Sequence, residues 1–350
     1  MIDTTEQAFR KIYRDVGAGR LVKPRNQPVI EVEDYSYDLP PYARFANFEA
    51  RKLKLDYVKK ELLWYLRANP FDDSIVDAAS IWQELPNRDR SINSNYGAHV
   101  FGKVHPAYEP AKSIVPFAIE HEQQFTFDPF NVKYSNESMS SASIAIGEGL
   151  GSRSQLEYIV QTLLDDKDSR RASAVILNRK HLLSPKTKDY PCTYALNFRI
   201  RDNELKMSVH MRSQDAVFGM GNDAPAFSFI QELVYVLLRD GGYPDLKMGN
   251  YHHTCDSFHY YERHFEMVKQ INAGSAFTPL EMPKIRDAKE AIYLLSSIHL
   301  TYPGGAAAAN IFTIDQNRRV LAKLSETLGV TIDISSPAGD LSRWLTQGLT

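Results

Sequence analysis

Apolar residues recur at helical spacing in several stretches of the chain. A period of three to four residues predicts helices over 5–17, 153–165, 224–239, 286–296 and 315–327. A further helix is expected to begin near Glu49, and its apolar stripe consists of Leu55, Val58, Leu62 and Leu66. The helix over 224–239 is apolar on most sides, so we expect it to be buried.

Apolar and polar residues alternate elsewhere, which is the pattern of half-buried strands. Strands are predicted over 29–39 and 173–178, and two more form a hairpin around the polar turn 201–203. One face of the first hairpin strand carries Tyr194, Leu196, Phe198 and Ile200, and one face of the second carries Leu205, Met207, Val209 and Met211. The chain therefore mixes helices with strands.

Two segments differ in composition from the rest. Residues 103–151 combine prolines and an aromatic run with a Ser- and Gly-rich second half, which predicts a loop or insertion. A PGGAAAA stretch between the last two predicted helices predicts a flexible loop. We expect a main domain over 1–280 that contains the insertion, with a helical extension over 281–350 packed on it.

Charge and cysteine content narrow the functional classes. The net charge of the 350-residue chain is −2, so no global basic field indicates binding to duplex nucleic acid. Two cysteines, Cys192 and Cys255, cannot form a disulfide framework and suit a reducing compartment. The charged N-terminus and the lack of a long apolar run predict a cytoplasmic protein without a membrane partner, in the host cytoplasm if the source is viral.

Reactive and charged side chains flank the predicted hairpin. Cys192 precedes its first strand, while Arg212, Ser213 and Asp215 follow the apolar part of its second strand. Because hairpin partners are neighbours, these groups can form one pocket that combines a nucleophile with anion-binding groups. Alternatively, Cys192 is a buried structural cysteine.

Three other charged sites have a functional and a structural interpretation. Glu61 lies at the edge of an apolar stripe, where burial raises a carboxyl pKa and suits proton transfer, but it also fits an ordinary core-edge glutamate. Asp223 fits a ligand-binding residue or the N-cap of the helix that follows it. Arg170 and Arg171 fit either an anion site or solvated surface charge.

A histidine-rich segment superficially resembles a metal site. It contains His252, His253, Cys255, His259 and His264. This spacing matches no closed zinc pattern and lacks a second cysteine pair, so we expect a binding loop without metal.

The order of several motifs along the chain identifies a family. The series is Glu61, Trp82, Tyr96-Gly97, Ser169-Arg170-Arg171, Pro191-Cys192, Arg212-Ser213-x-Asp215-x-x-x-Gly219 and His259-x-Tyr261. It resembles the thymidylate synthase family over about half of the chain, most closely around 152–264 and 61–97. The resemblance implies an α+β fold, with a twisted mixed sheet flanked by helices and a symmetric homodimer formed through the sheet face.

The resemblance also implies the catalytic roles. Cys192 matches the nucleophile that adds to carbon 6 of a pyrimidine nucleotide, and Glu61 matches the carboxylate that organises water and proton transfers. Tyr96 matches a hydroxyl that lines the site, and Asp215 matches an aspartate that holds the folate pterin. The implied co-substrate is 5,10-methylenetetrahydrofolate, with Trp82 and Gly219 in its binding region.

Further matches concern the nucleotide. Arg212 and Ser213 resemble a phosphate cradle, and arginine suits this role because its guanidinium bonds a phosphate in a bidentate way. The phosphate ligands expected from the partner subunit are Arg170 and Arg171. The residues expected on the sugar 3′-hydroxyl are His259 and Tyr261.

The chain departs from the family's synthases at the base-reading position. Four residues beyond Gly219 the synthases carry Asn, whereas this chain carries Asp223. Cytosine offers an amine donor where uracil offers an oxygen, and a carboxyl group can accept from that amine. Leu85 also replaces an expected second tryptophan, Thr193 replaces a histidine common in synthases, and the C-terminus lacks the usual folate-closing tail.

The resemblance therefore implies a deoxycytidylate hydroxymethylase of the kind used in phage DNA modification, which converts dCMP to 5-hydroxymethyl-dCMP. A dCMP 5-methyltransferase or a CMP hydroxymethylase are alternatives. A dUMP-using synthase or hydroxymethylase would need Asn222 to face the base. A non-catalytic nucleotide-binding protein is a further alternative.

Overall fold

The computed structural model describes residues 4–102, 154–183, 187–297 and 339–347. Within them, six strands form one mixed sheet in the order β1–β2–β6–β5–β4–β3. The strands are β1 (Arg20–Val22), β2 (Val29–Leu39), β3 (Ser173–Val175), β4 (Thr193–Arg201), β5 (Glu204–Asp215) and β6 (Lys247–Tyr261). The central pair β5–β6 is parallel, and the other pairs are antiparallel. This architecture confirms the predicted α+β class with a mixed sheet.

Helices flank this sheet. They are α1 (Thr5–Gly17), α2 (Leu55–Arg67), α3 (Ile81–Glu84), α4 (Tyr96–Val100), α5 (Gln155–Asp165), α6 (Arg179–Leu183), α7 (Gly219–Gly241), α8 (Phe265–Asn272), α9 (Ala288–Ser297) and α10 (Asp340–Thr346). The long helix α7 packs on β5 and β6 and is buried along most of its length, as its apolar composition predicted. No helix in these ranges is both long and apolar enough to cross a membrane.

The strongest periodic patterns gave the correct elements. The bounds of α1 and β2 agree with the predicted helix and strand, and Thr4 forms a capping box with Gln7 at the start of α1. In the hairpin, Leu196 lies opposite Val209, and both side chains are buried. Asp202 and Asn203 form its turn with φ values of 55° and 59°. The prediction for Tyr194 was wrong: it is 39% exposed, because a register shift follows Thr193.

Other boundaries differ from the sequence prediction. Helix α2 begins at Leu55, because Glu49–Arg51 forms a separate 3-10 turn that ends at Lys52 in the left-handed conformation. The strand predicted over 173–178 is shorter, since β3 ends at Val175. Helix α7 begins at Gly219, five residues before the predicted start, and continues through Pro225.

Part of the predicted C-terminal extension is described. Helix α9 packs on α7, and α10 packs on α2, where Lys59 Nζ lies 4.9 Å from the centroid of the Trp344 ring. The predicted insertion 103–151, the helix 315–327 and the PGGAAAA loop lie outside the described residues.

Candidate active site

The functional side chains meet at one edge of the sheet. Asp215 ends β5 opposite His259 of the parallel strand β6, so the carboxyl ends of both strands lie together. Cys192 directly precedes the antiparallel strand β4, and its carbonyl oxygen accepts a hydrogen bond of 2.9 Å from the backbone N–H of Arg212. The start of β4 and the end of β5 therefore bring the cysteine, Arg212 and Asp215 to the same edge.

Cys192 is partly buried and is not in a disulfide. Burial raises the pKa of its thiol, the nearby charge of Arg212 lowers it, and the carboxyl groups of Asp223 and Asp189 raise it. The Arg25 guanidinium also lowers this pKa, which places a second cation near the sulfur. Sequence reasoning missed Arg25, because a basic loop far from the cysteine in sequence carries no sign of its position.

Arg212 also holds the backbone that precedes the cysteine. Its guanidinium donates from Nε to the carbonyl of Pro191 at 3.2 Å and from Nη2 to the carbonyl of Tyr190 at 2.8 Å. These bonds fix the chain just before Cys192 against the end of β5. The same side chain is thus both a cation at the site and a brace for the nucleophile.

Asp189 connects the cysteine loop to the segment before α4. Its buried carboxylate accepts from the backbone N–H of Ser94 at 2.6 Å and from the Ser94 hydroxyl at 2.5 Å. Asn93 Nδ2 donates to the Asp189 carbonyl at 2.9 Å. Tyr96, the first residue of α4, is therefore fixed relative to Cys192. The predicted roles did not include Asp189.

Tyr96 is buried beside the cysteine loop. Its ring stacks on Phe227 of α7 with centroids 5.5 Å apart. Burial raises the pKa of its hydroxyl well above the usual value, and the Cys192 and Asp223 groups add to this effect. A Cβ atom on Gly97 would overlap the backbone of Tyr65, so a glycine allows α4 to approach α2 at this point.

Glu61 faces the interior from α2. The indole Nε1 of Trp82 donates to the Tyr57 hydroxyl at 2.8 Å, and that hydroxyl donates to Glu61 Oε1 at 3.2 Å. Burial, followed by the nearby Asp223 carboxyl, raises the pKa of Glu61 to about 8. Glu61 is thus buried, and a carboxyl group with this pKa can exchange a proton near neutral pH.

Asp223 lies in the second turn of α7, so of its two interpretations the N-cap was wrong. Its Oδ2 accepts a hydrogen bond of 2.8 Å from Nε2 of Gln214, whose Oε1 accepts one of 3.1 Å from the Tyr37 hydroxyl. Burial raises the pKa of Asp223 to about 7. The residue thus contributes a second carboxyl group that titrates near neutral pH.

Asp215 occupies the turn before α7 instead. Its two carboxylate oxygens accept from the backbone N–H groups of Val217 at 3.0 Å and Phe218 at 3.3 Å. Arg51 Nε donates to the Val217 carbonyl at 3.1 Å. This turn is held from both sides, because Asp215 binds its N–H groups and Arg51 binds a carbonyl. A Cβ on Gly219 would lie 3.4 Å from the Asp215 Cβ, so the two residues are adjacent.

The remaining predicted residues lie in two places. His259 and Tyr261 of β6 have ring centroids 5.2 Å apart in an edge-to-face arrangement, and His259 Nδ1 lies 3.2 Å from the Ser257 carbonyl. Arg170 and Arg171 are exposed in the loop between α5 and β3. Neither arginine forms an ion pair with any residue in the described ranges.

The predicted binding loop was wrong for most of the histidine-rich segment, because His252 to His259 lie in β6, where neighbouring residues point to opposite faces. His264 lies in the 3-10 turn that follows the strand. His252 Nδ1 lies 2.9 Å from Asp38, while His253 stacks on Tyr37 with centroids 4.8 Å apart. Among the residues with described positions, no group of three or more His, Cys, Asp or Glu side chains could hold a metal ion.

Comparison with known proteins identifies the family. A family model described as thymidylate synthase matches residues 25–298, which is more than half of the chain. This chain belongs to the thymidylate synthase family. The assignment confirms the family predicted from the ordered motifs. The family catalyses one-carbon transfer to a pyrimidine nucleotide with methylenetetrahydrofolate as co-substrate.

Relatives in the thymidylate synthase family include enzymes with different substrates. A deoxycytidylate 5-hydroxymethyltransferase of Enterobacteria phage T4 is 26% identical over 219 residues, covering 61% of this chain and 70% of the relative. A thymidylate synthase of Mycoplasma genitalium is 23% identical over 264 residues, covering 73% of this chain and 80% of the relative. A deoxyuridylate hydroxymethyltransferase of Delftia phage PhiW-14 is 30% identical over 138 residues, covering 36% of this chain and 37% of the relative.

Proposed function

We propose that this enzyme hydroxymethylates carbon 5 of a cytidylate nucleotide, with dCMP as its substrate. The observation that carries this proposal is the carboxyl group of Asp223 beside Cys192 and Glu61, at the position where the family's synthases carry Asn. An ionised carboxylate has no donor for the carbonyl oxygen of uracil, but it accepts from the amine of cytosine.

Cys192 is the proposed nucleophile. Its sulfur adds to carbon 6 of the base, and carbon 5 then becomes nucleophilic toward the one-carbon unit that methylenetetrahydrofolate supplies. Carbon 5 bonds to that unit, and loss of the carbon-5 proton together with expulsion of tetrahydrofolate leaves an exocyclic methylene group. Water adds to the methylene carbon, and elimination of the Cys192 thiolate releases the product. Because burial raises the Cys192 pKa, the cations of Arg212 and Arg25 are needed to favour the thiolate.

Glu61 is the proposed centre for proton transfer and for water. Its raised pKa allows it to hold a proton at neutral pH and to release it within the catalytic range. The Trp82–Tyr57 hydrogen-bond chain fixes its orientation. A hydroxymethyl product requires water at this carboxyl group, whereas hydride transfer from folate would give a methyl product.

The nucleotide phosphate is proposed to bind among Arg212, Ser213 and Arg25. Arg170 and Arg171 would reach it from a second subunit, because in this chain they are exposed and unpaired by any described acidic residue. We therefore propose a homodimer formed through the face of the sheet opposite α7. His259 and Tyr261 would bind the sugar.

A cleft at the start of α2 suits the folate. Its volume is about 450 Å³, and its charged lining residues are Lys54, Lys60 and Asp56, with Tyr57 beside them. The two lysines complement the carboxylates of a folate tail, and Tyr57 connects the cleft to Trp82 and Glu61 through hydrogen bonds. Asp215 and Gly219 are proposed to line the pterin end.

A dUMP-specific enzyme is the second candidate, and the deoxyuridylate hydroxymethyltransferase relative supports it. In that case Asn222, one residue before Asp223, would read the base. Separate incubations of dCMP, CMP and dUMP with methylenetetrahydrofolate, with products identified by mass, distinguish these candidates. We expect 5-hydroxymethyl-dCMP. A product from dUMP alone would overturn the proposal.

The role of Asp223 is tested by Asp223→Asn. Asn keeps an oxygen that can accept from Gln214, so the fold should persist, while its new N–H donor suits uracil. We expect activity on dCMP to fall by about 100-fold or more and activity on dUMP to appear. Steady-state kinetics with both nucleotides measure this change. A variant that keeps its dCMP preference and its melting temperature would show that another group reads the base.

A further inference from the structure

Two buried side chains behind Asp223 have no role in the mechanism above. Gln214 on β5 is 2% exposed and Tyr37 on β2 is 5% exposed. The Tyr37 hydroxyl donates to Gln214 Oε1 at 3.1 Å, and Gln214 Nε2 donates to Asp223 Oδ2 at 2.8 Å. The bonds connect β2, β5 and α7 and end on the carboxyl group that is proposed to read the base.

The hydrogen bond from Tyr37 fixes the orientation of the Gln214 amide. An amide oxygen can only accept, so the tyrosine proton must point to Oε1, and the amide N–H groups then point to Asp223. Tyr37 is held in turn by parallel stacking on His253, with centroids 4.8 Å apart and planes 5° apart. Burial lowers the pKa of His253 to about 3, so this support is uncharged at neutral pH.

The hydrogen bond from Gln214 to Oδ2 determines which oxygen of Asp223 can carry a proton. Oδ2 must accept from Gln214, so a proton taken up by the carboxyl group resides on Oδ1. No described residue donates a hydrogen bond to Oδ1, and the Asp223 side chain is only partly buried. The carboxyl group therefore has two distinct ends, with an obligatory acceptor at Oδ2 and a possible donor at Oδ1.

The two bases need opposite arrangements of these ends. Cytosine presents an amine donor at position 4 and an acceptor at ring nitrogen 3, whereas uracil presents an acceptor at position 4 and a donor at nitrogen 3. A carboxyl group whose proton could move between its oxygens would fit both bases. One whose acceptor oxygen is fixed fits only the base that places its donor there.

We propose that Gln214, oriented by Tyr37, is a specificity-determining positioning residue that fixes the acceptor oxygen of Asp223 and thereby selects the base. This inference rests on the proposed base-reading role of Asp223. It does not require Gln214 to touch the nucleotide. With cytidylate as substrate, Oδ2 is the oxygen that meets the 4-amino group.

The test compares the kcat/KM ratio for dCMP over dUMP in the wild-type enzyme, Gln214→Leu and Tyr37→Phe. We expect Gln214→Leu to reduce the ratio by about 10- to 100-fold, the range for loss of a hydrogen bond to a charged group. Tyr37→Phe should shift the ratio in the same direction by a smaller factor, because the amide keeps its place but loses its fixed orientation. Tyr35→Phe is the matched control, since the Tyr35 hydroxyl, on the same strand, donates to Asp15 instead. Its ratio should be unchanged.

The outcomes separate this inference from the proposed function. A wild-type enzyme that prefers dUMP overturns the assignment to cytidylate. The inference about Gln214 is then still tested by the change in the kcat/KM ratio that Gln214→Leu causes. A folded Tyr37→Phe or Gln214→Leu variant with the wild-type ratio overturns the inference, whichever base the enzyme prefers. Equal losses of kcat/KM on both nucleotides would show a purely structural role and would also overturn it. If Gln214→Leu does not fold, Tyr37→Phe alone decides.

Discussion

At the scale of single residues, Cys192 and Glu61 have environments that oppose their charged forms. Burial raises the pKa of both groups, so neither carries its charge easily in the free protein. The nearby Asp223 carboxyl further raises the pKa of Glu61, because two negative charges close together repel each other. These groups therefore lower the free energy of unfolding when they are ionised. Two measurements test their roles.

The first measurement concerns the nucleophile. We expect Cys192→Ser to abolish turnover, with a loss on the order of 10⁴-fold or more, because a serine hydroxyl is a far weaker nucleophile than a thiolate. Nucleotide binding should largely survive, since Arg212 keeps its position through the carbonyls of Tyr190 and Pro191. Calorimetric titration with nucleotide and a turnover assay measure both properties. Near-normal turnover in the variant would exclude covalent catalysis by this cysteine.

The second measurement concerns the pH dependence of stability. The folded protein holds the Glu61 proton up to a pKa of about 8, whereas an unfolded chain releases it near 4.5. The folded state binds more protons between these values, so the free energy of unfolding should decrease as pH rises through this range. Glu61→Gln removes this titration and should stabilise the protein at high pH, by about 1–3 kcal/mol, while reducing turnover.

Thermal unfolding from about pH 5 to about pH 9 checks this prediction. The wild-type melting temperature should decrease more steeply with pH than that of Glu61→Gln. Glu84→Gln, at an exposed position on α3, is the matched control and should follow the wild-type curve. Parallel curves for all three proteins would mean that Glu61 titrates normally in the folded state.

At the scale of elements, the start of α7 is placed by contacts from outside the helix. Arg51 binds the Val217 carbonyl from a separate 3-10 turn, and its guanidinium lies against Gly221 in the first turn of α7. A Cβ atom at Gly221 would overlap this guanidinium. The position of Gly219 and Asp223 in the site thus depends on a buried arginine that sequence reasoning did not identify.

Gly221→Ala should therefore reduce both stability and activity. We expect a loss of about 1–3 kcal/mol in the free energy of unfolding, because the new methyl group displaces Arg51 or the helix start. In an Arg51→Ala background, Gly221→Ala should reduce the free energy of unfolding by less, since the guanidinium that the new methyl group would overlap is absent. Chemical denaturation of the four proteins gives this double-mutant cycle. An equal cost of Gly221→Ala in both backgrounds would mean that Arg51 is not the cause.

At the scale of the whole molecule, the site in one chain is incomplete under the proposed function. Arg170 and Arg171 are exposed in the loop before the edge strand β3. The proposed dimer supplies them to the partner's phosphate site. Two chains with different defects could then form one intact site between them.

We expect Cys192→Ser and Arg171→Ala, each inactive alone, to regain partial activity when mixed under conditions that exchange subunits. One site of the mixed dimer would combine an intact Cys192 with an intact Arg171 from the other chain. Cys192→Ser mixed with Glu61→Gln is the matched control. These two residues belong to the same chain's site, so no mixed dimer has an intact site and no activity should return.

A turnover assay on mixtures, with subunit exchange followed by mass spectrometry of differently tagged chains, measures the effect. Exchange without any regain in the first mixture would place Arg171 outside the partner's site.

The sequence by itself determined the local elements and the chemical identity of the site. Periodicity gave α1, β2 and the β4–β5 hairpin, because the alternation of buried and exposed positions is a local property of a helix or strand. The order of motifs gave the family and the residues proposed to do the chemistry. The start of α7 could not be predicted, because Asp215 and Arg51 fix it through contacts outside the apolar pattern.

Only the tertiary structure decided which distant groups surround those residues. The bond between Tyr37 and Gln214 joins positions 177 residues apart, and the bond between Ser94 and Asp189 joins positions 95 apart. Neither pair has a spacing or a motif that marks it in the sequence. The order of the strands in the sheet brings Tyr37 and Gln214 together, whereas Ser94 and Asp189 meet through the packing of two loops. Two further features could not be predicted from the sequence, because they also depend on tertiary contacts. One is the position of Arg25 near Cys192, and the other is the position of Asp223 inside α7 rather than at its N-cap.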